Sequence, residues 1–401
     1  MNKMRQLKSR GSALALVMIA LIILLITGVG LLSLGSRSRL FAIHNTSSIA
    51  ARCAADAGLV KAFFEMNEKL KIKPWDDTLL PEAINESLPN SDASYSYKVS
   101  KDADGKYVIE SIGVCNQSSK SVRCNLRLES PFDYAIFGSR YIWLKAGTTI
   151  DGYNYDSPGE LLKIGVNSIE AGAIFARLGV LIDGDVFVGP GGDPSVVIDA
   201  KNEVVITGEC FTLDEAHPLD PVPFPSYLAA LPSLGTITTS ITLTGNAKCD
   251  AIDLTGGAVL TINGPVSLYV VGQTKIDNSA QIKVVDANTN PDAYLNLYLG
   301  DIVTIQNSGA LNNFGKDASK LKIYGLPSCP GFTFQTDSVL YGAVYAPSVN
   351  FNMLNKVVIY GSVIVERLTQ QVDSDFHYDA SLKNGSINDE LVRFTVDKWS
   401  E

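Results

Sequence analysis

Histidine is scarce in this chain, and the cysteines show no metal-binding arrangement. The 401 residues include three histidines and six cysteines, with no Cys-x-x-Cys pair and no Cys/His cluster at zinc spacing. We therefore predict no metal site and no cofactor. The sequence also lacks the HExxH, GxSxG, P-loop and dinucleotide-binding motifs. These absences disfavour the common metalloprotease, hydrolase, nucleotide-binding and dehydrogenase classes.

Basic residues are fewer than acidic ones, except at the N-terminus. The formal net charge is -9, which argues against a broad basic surface and so against nucleic acid as a partner. The first ten residues differ, because they carry Lys3, Arg5, Lys8 and Arg10 and no acidic residue. Residues 1–11 are therefore interpreted as a basic leader.

One long stretch has no charge at all. Residues Ala13 to Leu32 read ALALVMIALIILLITGVGLL, and a helix of that length spans about 30 Å, the thickness of a bilayer core. A buried core helix of this length would show a polar stripe, and the apolar part of a cleaved secretory signal is usually shorter. The pattern favours a retained single-pass anchor over residues 12–35, with the basic leader in the cytoplasm and the body exported.

The helical pattern continues beyond the apolar run. Residues 36–74 have no proline until Pro74. They are rich in alanine near the middle, and their apolar residues recur at approximately helical spacing. Pro74 is expected to end this amphipathic extension. Its apolar stripe requires a partner surface, either in the downstream domain or in a neighbouring subunit.

The leader ending at Gly11, the small Ser12, the apolar segment and the alanine-rich helix AARCAADAGLVKAFFEMN together resemble type IV pilin-like proteins. Within that group they resemble minor pilins related to PilX and the type II secretion pseudopilin K. The resemblance implies cleavage by a prepilin peptidase between Gly11 and Ser12, and packing of the helix against other pilin-like subunits. It also implies residence in a bacterial inner membrane or in an extracellular filament. Major pilins carry glutamate where this chain has Leu16, which points to a minor or tip subunit.

A small antiparallel strand module is predicted for residues 75–131. Three alternating segments, Ser94–Ser100, Lys106–Val114 and Ser121–Leu128, are separated by turn residues. Cys115 and Cys124 flank the second turn, and they are read either as a disulfide across the hairpin or as two unpaired buried thiols. We expect the disulfide.

Residues 132–382 change to short Val, Ile and Leu runs punctuated by Gly, Asn and Asp. Strands of this kind fit a right-handed parallel β-helix or a β-sandwich. The irregular spacing and the glycine-rich corners favour the β-helix, a solenoid whose coils stack Val and Ile inward. A short helix is expected at Ser226–Leu234 within a proline-rich insertion, and residues 383–401 are interpreted as a tail. The chain as a whole is therefore predicted to be α+β.

Several acidic residues are candidates for catalytic groups, because many β-helices act on polysaccharides with clustered carboxylates. In each case a turn or surface role is the favoured interpretation. His217 is expected at the surface, and the alternating acids near the end are expected to blunt the last coil against self-pairing or, less favoured, to bind calcium. No catalytic residue and no enzymatic activity are predicted. The residues considered are Asp183, Asp185, Asp193, Asp199, Asp214, Glu215, His217, Asp373, Asp375, His377 and Asp379.

The favoured function is a membrane-anchored structural subunit. It would join or prime a type IV pilus-like filament and display its solenoid for assembly or for adhesion to surface carbohydrate or protein. The sequence leaves two alternatives open. One is a membrane-tethered enzyme acting on polysaccharide, and the other is a cell-envelope scaffold that polymerises through the ends of its solenoid.

Overall fold

The computed structural model describes residues 12–145, 147–157, 159–312, 314–371 and 373–400. They divide into two compact units. The first unit consists of Met1–Arg127 and Phe394–Glu401, as far as these are described, and the second consists of Leu128–Arg393. The predicted leader, including Gly11, lies outside the described residues.

The first unit combines a long helix with an antiparallel sheet. Its helix α1 spans Ser12–Leu70, 59 residues without a break, as the apolar run and its amphipathic extension predict. Its sheet has the order β1-β2-β3-β4-β30. The strands are β1 (Glu82–Ser87), β2 (Ser94–Lys101), β3 (Tyr107–Cys115), β4 (Ser118–Glu129) and the last strand of the chain, β30 (Arg393–Ser400).

The C-terminal residues are part of this sheet, although the sequence indicated a tail. The Asn67 side chain in α1 accepts a hydrogen bond from Phe394 N (2.9 Å) and donates one to Phe394 O (3.3 Å). The Phe394 ring is buried and packs edge-on against Tyr107 and Trp75. Residues 327 positions apart thus share one core, which local sequence patterns do not reveal.

The predicted disulfide between Cys115 and Cys124 is not formed in this structure. In the β3–β4 hairpin Cys115 pairs with Ser118, whereas Cys124 pairs with Ile109. The two cysteines are therefore offset by six residues along the strands, roughly 20 Å at the usual rise per residue. Both are buried free thiols, which is the other interpretation that the sequence left open.

The second unit is mainly β, with short helical turns at Pro131–Asp133, α2 (Pro194–Val197), α3 (Ser226–Ala230), Ala318–Lys320 and Ala380–Lys383. The helix α3 lies within the predicted segment. The strands are β5 (Ile136–Leu144), β6 (Thr149–Tyr153), β7 (Leu162–Val166), β8 (Ile174–Ala176), β9 (Leu181–Ile182), β10 (Gly184–Val188), β11 (Ile198–Ala200), β12 (Val205–Ile206), β13 (Cys210–Thr212), β14 (Thr236–Ile237), β15 (Ile241–Leu243), β16 (Ala247–Cys249), β17 (Ala251–Leu254), β18 (Val259–Ile262), β19 (Pro265–Val270), β20 (Thr274–Ile276), β21 (Gln281–Val284), β22 (Tyr294–Leu299), β23 (Val303–Ile305), β24 (Ala310–Leu311), β25 (Leu321–Gly325), β26 (Gly331–Gln335), β27 (Val339–Leu354), β28 (Val358–Gln370) and β29 (Asp375–Asp379).

These strands pair in parallel, usually with the strand three places further along the chain. Three ladders result. Ladder A runs β16-β19-β22-β25-β27-β28-β5-β7-β10-β13, ladder B runs β14-β17-β20-β23-β26-β27-β28-β5-β8-β11, and ladder C runs β15-β18-β21-β24-β27-β28-β29-β6-β9-β12. The long strands β27 and β28 turn corners and therefore take part in all three ladders.

The order of strands in the ladders differs from their order in the chain. From β5 and β6 the chain proceeds through β7–β13 to one end of the ladders. It then resumes with β14 at the opposite end and returns until β28 and β29 pair with β5 and β6. The proline-rich segment Leu213–Gly235, predicted as an insertion, is thus the crossover that makes this order possible.

Each ladder contributes rows of apolar side chains to one interior. Successive residues of a strand point to opposite faces, so every register position forms a row along the ladder. One inward row of ladder A is almost entirely excluded from solvent, and each such side chain contributes about 1.5–3 kcal/mol through burial. The row consists of Leu268, Leu297, Ile323, Val344, Val363, Ile136, Ile164 and Val186.

The corner between ladders B and C repeats one backbone conformation. Two consecutive residues with positive φ form the turn, a conformation that favours glycine and asparagine. Some corners carry the Gly-Gly turn that the sequence indicates, but others use pairs with no such signature. The corners with both φ values described are Gly256-Gly257, Asn278-Ser279, Asn307-Ser308, Thr336-Asp337, Asn355-Lys356, Leu178-Gly179 and Asn202-Glu203.

Candidate functional site

The N-terminal part of α1 is apolar and uncovered. Large apolar side chains from Leu14 to Ile43 are all more than half exposed, which is costly in water over so long a stretch. Thr27 interrupts the run, and its hydroxyl donates to the carbonyl of Ile23 (2.9 Å) within the helix, so it presents no unpaired donor to lipid. By length and composition α1 is a helix that is able to cross a membrane. Ser12, Ala13 and Leu32 all belong to it.

The C-terminal part of α1 is seated on the sheet of the first unit through small residues. Ala51, Ala54, Ala55 and Ala62 are fully buried. A Cβ on Gly113 of β3 would lie 2.0 Å from the Ala51 carbonyl oxygen. The helix backbone therefore lies directly on the strand, which requires glycine at this position.

Polar contacts fix the helix on the same sheet. Lys61 in α1 pairs with Glu86 in β1, and Tyr95 donates to the same carboxylate (2.9 Å). Tyr97 donates to Glu65 of α1 (2.6 Å). The hydrogen bond from Lys61 lowers the pKa of Glu86 below its ordinary value, with Tyr95 adding to the effect. Helix and sheet are thus joined by directional bonds as well as by close packing.

The opposite face of this part of α1 is also apolar. Ile49, Val60 and Phe64 are each at least 60% exposed, and Cys53 is exposed between them. These positions fall at helical spacing, so they share a face. That face carries apolar surface well beyond the segment that lipid would cover.

The acidic residues considered as catalytic groups mostly serve the backbone and the ladders. Asp193 caps α2 by accepting from Ser195 N (2.9 Å), and Asp185 accepts from Glu209 N on the neighbouring coil (2.9 Å). Asp183 accepts from Thr207 Oγ1 (2.7 Å). Asp199 pairs with Arg177. Asp214 and Glu215 are exposed in the crossover segment.

The alternating acids near the C-terminus do not form an edge, contrary to the prediction. Strand β29 pairs on one side with β28 and on the other with β6, because the first coil of the chain docks there. Asp379 is buried, accepts from Ser381 N (3.1 Å) at the following helical turn, and accepts from Asn154 (3.2 Å). His377 contacts Asp151 of β6 through Nδ1 and stacks on Tyr360. Asp373 occupies a ladder corner at positive φ.

His217 is half-buried rather than a surface residue. Its ring packs against Phe137 (4.7 Å between centroids) and Tyr134 (5.1 Å). Asn167 holds the crossover at this point, because its side chain both donates to His217 O and accepts from His217 N, each at 2.8 Å. Burial is the main cause that lowers the pKa of His217 from 6.5 to about 4, and the charge of Arg393 contributes to this shift.

Stability should therefore depend on pH through His217. In the unfolded chain the His217 side chain binds a proton below about pH 6.5, whereas in the folded chain it binds one only below about pH 4. The free energy of unfolding therefore falls as the pH is lowered from about 6.5 to about 4. In the parent protein we expect this decrease in the free energy of unfolding to be on the order of 2 kcal/mol, and we expect it to be absent in His217→Phe. Urea unfolding at several pH values checks this. If the free energy of unfolding depends on pH in the same way in the parent protein and in His217→Phe, the lowered pKa of His217 would be wrong.

A column of aromatic residues escaped the sequence prediction. It lies in an outward row of ladder A, which from Tyr269 to Phe211 is aromatic except at Ile364 and Gly165. The aromatic residues of this row are Tyr269, Tyr298, Tyr324, Tyr345, Phe137, Phe187 and Phe211. The crossover covers much of it with Leu219, Val222, Phe224 and Leu228. A signal was available, because an aromatic residue that follows an apolar one and closely precedes a glycine recurs in SLYVVG, NLYLG, KIYG and DVFVG.

Comparison with known proteins yields one family model and several weak structural similarities. The model, described as a domain of unknown function (DUF7305), matches residues 235–385. No curated protein matches. The competence-associated pilin ComZ from Thermus thermophilus is similar with a TM-score of 0.26 and 15% identity, covering 88% of this chain and 97% of that one.

Two ice-binding proteins are similar at the same level. The protein from the Antarctic ascomycete Antarctomyces psychrotrophicus has a TM-score of 0.29 and 14% identity, covering 62% of this chain and 95% of that one. The protein from an Antarctic Flavobacteriaceae bacterium has a TM-score of 0.23 and 9% identity, covering 61% and 80%. At these TM-scores the similarities assign neither fold nor function.

Proposed function

We propose that this chain is a minor pilin-like structural subunit that joins or primes a type IV pilus-like filament, in the manner of PilX-like pilins or the pseudopilin K. The supporting observation is α1 itself. One unbroken helix carries an uncovered apolar half and a second half seated on its own sheet. A helix of this kind anchors the subunit in a bilayer and, on leaving it, requires the helices of other subunits around it.

The remaining features of the proposal follow from the same helix. The exposed face with Ile49, Val60 and Phe64 provides contact area for neighbouring subunits outside the lipid. A prepilin peptidase would cut between Gly11 and Ser12 on the cytoplasmic side of a bacterial inner membrane, and the body would be exported. Leu16 replaces the glutamate of major pilins, which supports a minor role.

For the second unit we propose a right-handed parallel β-helix that is displayed for adhesion or assembly and is not catalytic. The three parallel ladders support this architecture. The structural duties of Asp185, Asp193 and Asp379 support a body without catalytic carboxylates. A tethered polysaccharide-active enzyme and an end-to-end scaffold are the competing functions.

The first experiment is co-expression of the full chain with a prepilin peptidase, followed by intact mass and N-terminal sequencing of the membrane-extracted protein. We expect an N-terminus at Ser12. The variant Gly11→Leu should stay uncut, whereas Gly30→Ala, at a glycine with no neighbouring atom within 4 Å of its Cβ position, should be processed normally.

A peptidase control is needed because a negative result must be interpretable. A known prepilin in the same cells should be processed fully. An intact Met1 terminus under those conditions would overturn the pilin-like function and leave a single-pass anchor. A cut beyond Leu32 would overturn the anchor as well, because it would identify a secretory signal.

A further inference from the structure

An aromatic cluster lies on the outer face of ladder B, away from the crossover. Tyr141 and Trp143 of β5 stack with ring centroids 4.7 Å apart and an angle of 20°. Phe175 of β8 is the register partner of Trp143, with centroids 6.2 Å apart. Trp143 is 38% exposed, although tryptophan is costly to expose and usually buries its ring.

Guanidinium groups flank this cluster on both sides. The Arg367 guanidinium lies 4.9 Å from the Tyr141 ring centroid, and that of Arg177 lies 3.9 Å from the centroid of Phe175. Cations over aromatic faces hold the rings in place. Arg177 uses its N–H groups within the protein, because it donates to the carbonyls of Ala176 and Asp199 and to the Asp199 carboxylate, so its role is to hold Phe175. We call Tyr141, Trp143, Phe175, Arg177 and Arg367 the Trp143 platform.

Positive charge exceeds negative charge around the platform. The Glu366 carboxylate is shared by Arg140 (3.1 Å) and Arg367 (3.4 Å). Asp199 is likewise shared by Arg177 and Lys201.

Lys145 adds to this excess. It follows Trp143 by two residues, is exposed, and forms no ion pair within the described part of the chain. This local excess stands out on a chain of net charge -9.

Polar side chains extend the same outward row from Trp143 along ladder B. Successive register partners are Thr369, Asn352, Thr333 and Thr304. Hydroxyls and amides both donate and accept hydrogen bonds. A sugar chain offers hydroxyls that do the same, whereas a nucleic-acid backbone offers mainly acceptors.

We propose that the Trp143 platform binds an anionic polysaccharide of uronic acid type. A pyranose ring packs on the exposed part of Trp143, and ring carboxylates pair with Lys145 and Arg367. Neighbouring sugars hydrogen-bond along the row that begins at Thr369. This inference rests on the proposed display of the second unit outside the cell, where such polymers occur, and it names the ligand class for that display.

The test is a titration of the full chain in detergent micelles with polygalacturonate, followed by isothermal titration calorimetry, which measures the affinity of every variant without a tryptophan reporter. We expect saturable binding and a loss of about tenfold or more in affinity for Trp143→Ala. Trp399→Ala is the matched control, since Trp399 is 44% exposed in the first unit, and it should leave the affinity unchanged.

A second pair of variants tests the charge. Lys145→Gln should weaken binding to polygalacturonate several-fold, whereas Lys120→Gln, an exposed lysine of the first unit, should not. Unchanged affinity in Trp143→Ala would overturn the proposal. Equal binding of the fully methyl-esterified polymer, or displacement by oligothymidylate at matched charge concentration, would overturn it too. Binding in micelles requires neither leader cleavage nor a filament, so its failure is distinct from failure of the pilin-like function.

Discussion

Gly113→Ala is expected to detach the C-terminal half of α1 from its sheet. The new Cβ would lie 2.0 Å from the Ala51 carbonyl oxygen and 2.4 Å from the Ala55 nitrogen. Both are backbone atoms of a continuous helix, so no side-chain rotation relieves the overlap. We expect a loss of about 3 kcal/mol or more in the stability of the first unit, measured as faster hydrogen exchange across Ala51–Leu70 in the full chain in detergent.

Gly245→Ala is the matched control for this experiment. It makes the same chemical change at a glycine whose Cβ position has no neighbouring atom within 4 Å, in the turn between β15 and β16. We expect hydrogen exchange in α1 to stay as in the parent protein. If Gly113→Ala also leaves hydrogen exchange in α1 unchanged, the helix backbone does not lie directly on β3. The packing of α1 on its own sheet, which supports the filament proposal, would then be wrong.

Leu228→Asp is expected to release the crossover from the aromatic column. Leu228 is fully buried in α3, within the cluster that contains Tyr298 and Tyr324. A carboxylate at this position would lose its hydration without gaining a partner among these apolar side chains. We expect a cost of about 4 kcal/mol, seen as a lower urea midpoint for the second unit and as protease cleavage within Leu213–Gly235.

Leu234→Asp provides the comparison, because Leu234 lies in the same segment but is 52% exposed. It should leave both the urea midpoint and the protease pattern nearly unchanged. Equal behaviour of the two variants would mean that the crossover is not held by burial. The aromatic column would then be a solvent-exposed face, in competition with the Trp143 platform as a ligand surface.

Several elements follow from local sequence alone. The charge-free run and its alanine-rich continuation determine α1, because helix length and periodicity depend on residues close in the chain. Alternation and turn residues likewise determine the β2–β3–β4 meander. The short strands of the second unit are also predicted, since Val and Ile runs between Gly, Asn and Asp favour brief strands and tight corners.

Tertiary structure decided which of these elements meet. The register of the β3–β4 hairpin separates Cys115 from Cys124, and the return of the chain to β5 and β6 makes Asp375–Asp379 an interior strand. The crossover converts His217 from a surface residue into a half-buried one. Composition and spacing specify where the strands are and which of their faces is apolar. Many of these Val- and Ile-rich strands are similar, so which strand pairs with which depends on the packing of the whole interior. The apolar helix was therefore determined by the sequence itself. The order of the strands in the ladders, the covered aromatic column and the exposed Trp143 platform were determined by packing.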